Sequence, residues 1–433
     1  MEQATRTGHL RTRPLLRRTV VAAVAALALT ATACGGDSDS GTDGGAGGTT
    51  GTPGAALSLL GPSNPASGEP VKVGFISDGK TPAFDNTIQI DVANAMTKFL
   101  NEHEAGIGGR PIELVVCETA ADPGKAGDCA PQFIQADVAI VVAGESTAMD
   151  AVWRPMHDAG IPIFLYATTE QSVVLDRDST FAMGDPTVGL GTMPINVAKD
   201  NNVPKVTVVG VDVPVVTGFY DALGQQVFSE AGLELKVVAI PPGQADMTPQ
   251  MAQIAGDGPT EVHIIGNDSF CIAAFNGLEA AGFDGPISVV NQCVSEASRT
   301  ALGDILEGVY VLAPFAIGDE KNPDLLQYRA IVETYGKNDI DLSKSMGDTI
   351  YVTMMALHRA LDGFTGEVTP AALIEKIRTA PALPFPAAPG LTFQCNGAAN
   401  PLVPAVCNSG ALLTTLDAQG NPTLPYKPFG HDG

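Results

Sequence analysis

The sequence predicts an α/β protein of two Rossmann-like lobes, each a mainly parallel sheet flanked by helices. Four observations carry this. The chain has 433 residues, too many for one ordinary domain and suited to two. Short runs of β-branched and small apolar residues alternate with amphipathic stretches of helical period, which calls for parallel strands joined by right-handed crossovers. The alternation pauses between 170 and 185 and then restarts, without obvious sequence repetition. An apolar share of 45% is enough to fill two cores.

Residues 1–33 read as a targeting segment. The basic stretch 11–18 precedes an apolar run at 19–30 that is short for a membrane span, and Ala31-Thr32-Ala33 precede Cys34. The layout resembles a bacterial lipoprotein signal, cleaved before Cys34 and lipidated on its thiol, although Ala31 stands where such signals usually carry leucine. An ordinary secretory signal with an incidental cysteine is the alternative. Residues 34–70 are mostly Gly, Ser, Thr, Asp and Pro with little to bury. They predict a flexible tether with a reach of roughly 30–35 Å.

The folded body starts at VKVGFIS (71–77), a buried-strand pattern followed by the turn-rich DGKTPAFDN. A helix over 87–104 carries Ile88, Val92, Ala95, Met96 and Phe99 on one face. A break at 106–111 leads to the strand IELVVCE (112–118) and a short helix over 125–136. Residues 138–169 then read as strand, turn, helix, strand. The apolar run 138–143 ends at Gly144, and Glu145-Ser146-Thr147 makes a polar turn. An amphipathic segment stops at Gly160, and 161–166 runs into Ala167-Thr168-Thr169. Both strands deliver hydroxyls to the carboxyl edge of a parallel sheet, where open α/β sheets bind ligands. Ser146 and Thr147 stand where the helix starts. Free backbone N–H groups and the positive end of the helix dipole therefore point the same way as their hydroxyls. This is a candidate cradle for an anion or carboxylate, with a plain helix cap as the alternative for Ser146.

After the pause, helices over 188–201, 217–231, 248–255 and 270–281 alternate with strands at 205–211, 233–241, 261–267 and 286–292, and 308–316 closes this half. Beyond Gly318 the chain reads as helical over 323–335, 344–362 and 369–379. The last stretch, with Cys395, Cys407 and GALLTTLDAQGNPTLPY (410–426), reads as a small hairpin clipped by a disulfide.

The formal charge is −24, and residues 1–33 hold five arginines against Glu2, so the remainder is more acidic still. No basic run survives there, which excludes nucleic acid as an expected partner. Of seven cysteines, setting Cys34 aside leaves six, an even set that suggests disulfides in an exported chain. Six cysteines allow fifteen pairings; pairing sequence neighbours gives Cys117–Cys129, Cys271–Cys293 and Cys395–Cys407. A metal site is the rival, but no C-x-x-C occurs and the histidines are scattered. No G-x-x-x-x-G-K-[ST] loop exists, so ATP binding by this chain is not expected, nor is any cofactor.

Several of these segments resemble the type I periplasmic solute-binding proteins of ABC importers, in the branched-chain amino-acid-binding branch. VKVGFIS with its loop is similar to that family's first strand and ligand loop. GIGGRPIELVVCE resembles its N-x-x-G-G-i-x-G-R-x-i-e-l segment, and VAGESTAMDAV with AGIPIFLYATT resembles its serine turn, "aGiP" strand and Ala-Thr contact. The resemblance covers about 72–426. It implies two lobes joined by crossing hinge strands, here 71–186 with 317–382 and 187–316 with 383–430. It also implies a small-molecule ligand in the cleft, lobe closure on binding, and docking on a membrane permease. By this resemblance Ser146 is the hydroxyl for a ligand carboxylate, with Thr147 beside it. Ala167, Thr168 and Thr169 form the neighbouring contact, and Asp78 lies in the first loop. The second lobe departs from the pattern. GVDVPVVTG sets Val213 and Val215 where a ring is common, and GNDSFC sets Cys271 where amino-acid binders carry an acid. Thr217 and Asp268 are the remaining candidates on that wall, Asp268 also being a candidate helix cap. A carboxylate, amide or polar metabolite other than a standard branched-chain amino acid is the expected ligand, and a monomer the expected state.

GESTA is one residue from a G-x-S-x-G nucleophile elbow, so a serine hydrolase using Ser146 is an alternative from another class. It lacks a placed base: His263 lies in an apolar strand, His358 in a long helix, and His431 in the terminal tail. A sensory ligand-binding subunit of the same fold is a further alternative. Trp153 and Tyr220 read as packing residues.

Overall fold

Seven residues dominated by β-branched and aromatic types, Val71–Ser77, open the first sheet of this computed structural model as β1. The structure describes residues 58–81, 85–144, 146, 148–337, 340–342 and 345–430, within one compact unit, Gly51–Gly433. The targeting segment, Cys34, the tether up to residue 57, and Thr147 lie outside the described residues.

The first sheet runs β2-β1-β3-β4-β5, all parallel, with β2 Ile112–Glu118, β3 Ile140–Ala143, β4 Ile163–Leu165 and β5 Thr180–Ala182. The second runs β14-β13-β10-β9-β8-β6-β7. Its parallel core is β6 Lys205–Val211, β7 Glu234–Ile240, β8 Glu261–Ile265, β9 Ile287–Val290 and β10 Tyr310–Ala313. The hairpin of β13 Ala411–Thr415 and β14 Lys427–Phe429 adds to it antiparallel. A small pair, β11 Leu383–Pro384 and β12 Thr392–Phe393, stands apart. The chain passes between the two large sheets after β5, after β10 and before β13. This is the two-lobe α/β fold that the sequence predicts.

Both faces of the first sheet are covered, which explains why its strands read as continuous apolar runs. Val73, Phe75, Ile140 and Val142 join one layer with helices Thr87–His103, Pro323–Tyr335 and Ser345–Leu361. Ile76, Val141, Ala143 and Ile163 join the other with Pro123–Ala136 and Met149–Asp158. Gly74 is part of that fit: a Cβ there would sit 3.0 Å from Val141 and 3.1 Å from Phe133. The second sheet is covered likewise. Val209, Val262, Ile264 and Val289 pack to one side, and Val206 and Val208 pack to the other with Ile195, Tyr220 and Phe228.

The structure corrects two expected boundaries. The tether does not extend to Pro70. Leu60 is 1% exposed, Asn64 and Ala66 donate to the carbonyls of Glu102 and Asn101, and Arg110 binds the carbonyls of Glu69 and Pro70. Residues 383–430 do not all join the second lobe either. Val406 bridges Ala182 in parallel, Ala405 N–H donates to Val174, and Val403 and Val406 enter the first lobe's core, so 399–407 extends the β5 edge. All three neighbour-paired disulfides are present, Cys117–Cys129, Cys271–Cys293 and Cys395–Cys407.

Candidate functional site

The register sets the site. Ile76, Ala143, Leu165 and Ala182 are successive partners across β1, β3, β4 and β5, so these strands end level at their carboxyl edge. That edge brings together Asp78, Gly144, Ser146 and Ala167-Thr168-Thr169, on strands spaced about 4.8 Å apart. In the second sheet Gly210 pairs with Ile265, so Val213–Thr217 and Asn267-Asp268 share its carboxyl edge.

Ser146 stands just before the helix Met149–Asp158. Its Oγ is buried and has no hydrogen-bond partner among the described residues. A buried hydroxyl left unpaired costs about 1–3 kcal/mol, which makes Ser146 Oγ a candidate ligand contact. The helix cap position belongs to Ala148, with no side-chain cap, so the cap reading of Ser146 is not what the structure shows. Gly144 makes the approach possible: its N–H donates to Ile76, and a Cβ there would meet Gln89 Oε1 at 2.6 Å. Gln89 is held by Ser77 Oγ, which donates to its Oε1 at 2.6 Å. The sequence reading missed Ser77 and Gln89. Their signal is a polar residue on the apolar face of an amphipathic helix.

Ala167 and Thr169 are exposed at the same edge, and Thr168 Oγ1 accepts from the Glu170 N–H at 3.1 Å. Asp78 is fully buried and accepts from Thr119 Oγ1, which fixes the loop after β1. Gly79 in that loop has φ +61°, and a Cβ would strike Glu118 Oε2 at 2.2 Å.

On the second lobe, Thr217 Oγ1 donates to the Val213 carbonyl at 3.3 Å, inside the helix Pro214–Phe219. The cap of the helix Asp268–Ala280 is Asn267, whose Oδ1 accepts from Phe270 N–H, so Asp268 is its first residue and not its cap. Asp268 instead accepts from Ser269 N–H at 2.7 Å and Ser295 Oγ at 3.1 Å. Cys271 is buried in its disulfide. Tyr220 is 3% exposed and donates to Leu190, a packing role. His263 is wholly buried against Ser288 Oγ at 2.7 Å, and Trp153 donates to Asp176 and Thr180. Among the described residues, His157, Asp176 and Asp178 are close enough to share a metal ion. Asp176, however, already accepts from Trp153, Ser179, Thr180 and backbone N–H groups.

Two parallel sheets present strand ends at their carboxyl edges, and a hydroxyl buried at one of them has no partner among the described residues. The chain belongs to the periplasmic binding protein family, which residues 70–406 match. Among solved structures it is similar to an ABC transporter substrate-binding protein from Sphaerobacter thermophilus (18% identity, TM-score 0.66, covering 84% of this chain and 99% of that one). A leucine binding protein from Thermotoga maritima is alike at 18% identity and TM-score 0.60, with coverages of 84% and 99%. So is a fatty acid ABC transporter substrate-binding protein from Thermomonospora curvata, at 16% and 0.61, with coverages of 86% and 95%. At these identities the likeness is one of fold. No curated protein matches the sequence.

Proposed function

We propose that this chain is the extracytoplasmic solute-capturing subunit of an ABC importer, held at the membrane by a lipid on Cys34. It takes a small polar solute between its lobes, closes on it, and presents it to a permease. Ligand binding shifts the population toward the closed form, and no bond is made or broken. The observation that carries this reading is the Ser146 hydroxyl, buried without a partner at the carboxyl edge of a periplasmic-binding-protein fold. A carboxylate or amide oxygen of the solute supplies the missing acceptor, with Ala167, Thr168 and Thr169 around it. Thr217 and Asp268 line the opposite wall. Asp268 is already engaged by two serines, so that wall suits a solute without a strongly held ammonium group. The ligands for which two of the similar proteins are named, leucine and fatty acid, both carry the carboxylate that Ser146 would meet, and of the two only the fatty acid lacks an ammonium group.

Calorimetric titration of the purified protein with amino acids, small carboxylates and amides tests the reading. One class binds, and Ser146→Ala weakens it by about tenfold or more, the worth of a hydrogen bond to a charged group. Failure of every solute, or a Ser146→Ala variant that binds as tightly as wild type, overturns it. A hydrolase has less support, because among the described residues no base hydrogen-bonds Ser146 Oγ, and His263 is buried against Ser288. Permease genes beside this one separate transport from sensing.

A further inference from the structure

A second cavity lies in the first lobe, away from the edge that carries Ser146. The helix Thr87–His103 follows β1 and returns the chain to the start of β2, so its carboxyl end marks the amino edge of the sheet. There a cavity of about 240 Å³ opens between that helix, the 104–110 loop and the end of Ser345–Leu361. Its floor is apolar and deep: Val73, Leu100, Val142, Met354, Leu357 and Leu361 are each 6% exposed or less. An apolar cavity of about 150 Å³ already binds benzene, so this one holds a phenyl group with a short arm.

The mouth has a charge preference. Two helices of 17 residues end there, and each brings the negative end of its dipole to the opening. Glu104 and Asp362 add carboxylates at the same rim. His358 Nε2 lies 3.3 Å from one carboxylate oxygen of Glu104, and a carboxylate has room for further donors. Arg359 is turned elsewhere, to Asp324 at 2.7 Å and the Pro384 carbonyl. Glycines keep the rim low: Gly106, Gly108 and Gly109 all have positive φ, and a Cβ on Gly106 would strike the Arg110 carbonyl at 2.1 Å.

We propose that this cavity is a second ligand site, for a small hydrophobic amine whose apolar body fills the floor and whose ammonium meets Glu104. It is independent of the cleft and of what the cleft binds. The probe is phenethylamine, read by the methyl resonance of Met354 in full-length protein labelled at methionine methyls. Phenethylamine shifts that resonance saturably, and ethylbenzene, which lacks the charge, binds about fivefold or more weakly. The anion 3-phenylpropionate gives no shift. Glu104→Gln brings the amine down to the affinity of ethylbenzene and leaves capture of the cleft solute unchanged. Leu357→Trp fills the floor and removes both ligands; Leu361→Phe, a smaller filling, serves where melting shows that the first variant does not fold. Absence of a saturable shift overturns the proposal. So does equal affinity for the amine and the anion, or an amine affinity that Glu104→Gln leaves unchanged.

Discussion

Asp176 lies between the helix Gln171–Val174 and β5, 5% exposed, with both oxygens engaged. Burial alone would push its carboxyl up, but the N–H of Asp178, the hydroxyls of Thr180 and Ser179 and the Trp153 indole outweigh it and hold the group at about 2. The folded value lies below the unfolded one of roughly 3.9, so the carboxylate stabilises the fold above that pH and loses its effect as pH falls through about 2. The shift is worth roughly 2–3 kcal/mol, and Asp176→Ala also leaves buried donors unpaired. The variant should unfold in urea with about 3–5 kcal/mol less stability at pH 7, a gap that narrows toward pH 2. A loss below about 1 kcal/mol would show that the hub is not what fixes this turn. Neighbouring polar residues are also where sequence reading was least able to choose. Asn267 and Asp268 are both ordinary caps, and only the backbone shows that the asparagine caps while the aspartate turns to Ser295.

At the scale of elements, the order of strands and helices was legible because the central strands, β1, β3, β6 and β8, are buried on both faces and the helices between them carry apolar stripes. Where two readings of a segment shared one composition, the sequence was silent. Residues 58–70 look like the tether before them, and the signal of their packing is a single pair, Leu59-Leu60, of which only Leu60 is buried. Nothing local tells 399–407 which lobe it serves, since its place on β5 rests on backbone hydrogen bonds to Ala182 and Val174. The Cys395–Cys407 disulfide pins that segment across a separation of 12 residues. Closing a loop of this size restricts the unfolded chain by about 3 kcal/mol. The double variant Cys395→Ala, Cys407→Ala should therefore lose roughly 2–3 kcal/mol. Amide exchange should speed up at Ala182 and Ala405 before it does in β1 or β3, since the edge opens first. Uniform loss of protection across the sheet would show that the clip supports the whole lobe and not its edge.

For the whole molecule, buried acids and net charge push stability the same way along the pH scale. Glu261 and His263 are fully buried on β8 and joined through Ser288. Burial raises the Glu261 carboxyl well above its ordinary range and depresses the His263 imidazole to about 4. The raised carboxyl costs stability as pH rises above about 4.3, whereas the depressed imidazole adds stability as pH rises from about 4 to 6.5, so the two oppose each other in that range. Above about 6.5 the histidine adds no further slope, and the raised carboxyl is the member of the pair that still lowers stability as pH rises. Asp348, 9% exposed in the first turn of Ser345–Leu361, adds to this. Burial pushes its carboxyl up to about 7, against the pull of Arg329. Its folded value exceeds the unfolded 3.9, so the fold loses stability steadily as pH rises from about 4 to 7. The formal charge of −24 grows over the same range, and its self-repulsion acts in the same direction. Urea midpoints measured from about pH 4 to 9 should be highest near pH 4 and lower at pH 8. Asp348→Asn should gain up to about 4 kcal/mol at pH 8 and almost nothing at pH 4, because a neutral amide removes the cost of ionising a buried acid. Glu261→Gln should flatten the decline above about pH 6.5. A midpoint that is highest at pH 8, with both variants flat, would place these acids in contact with cations or water that the packing around β8 and Tyr328 does not supply.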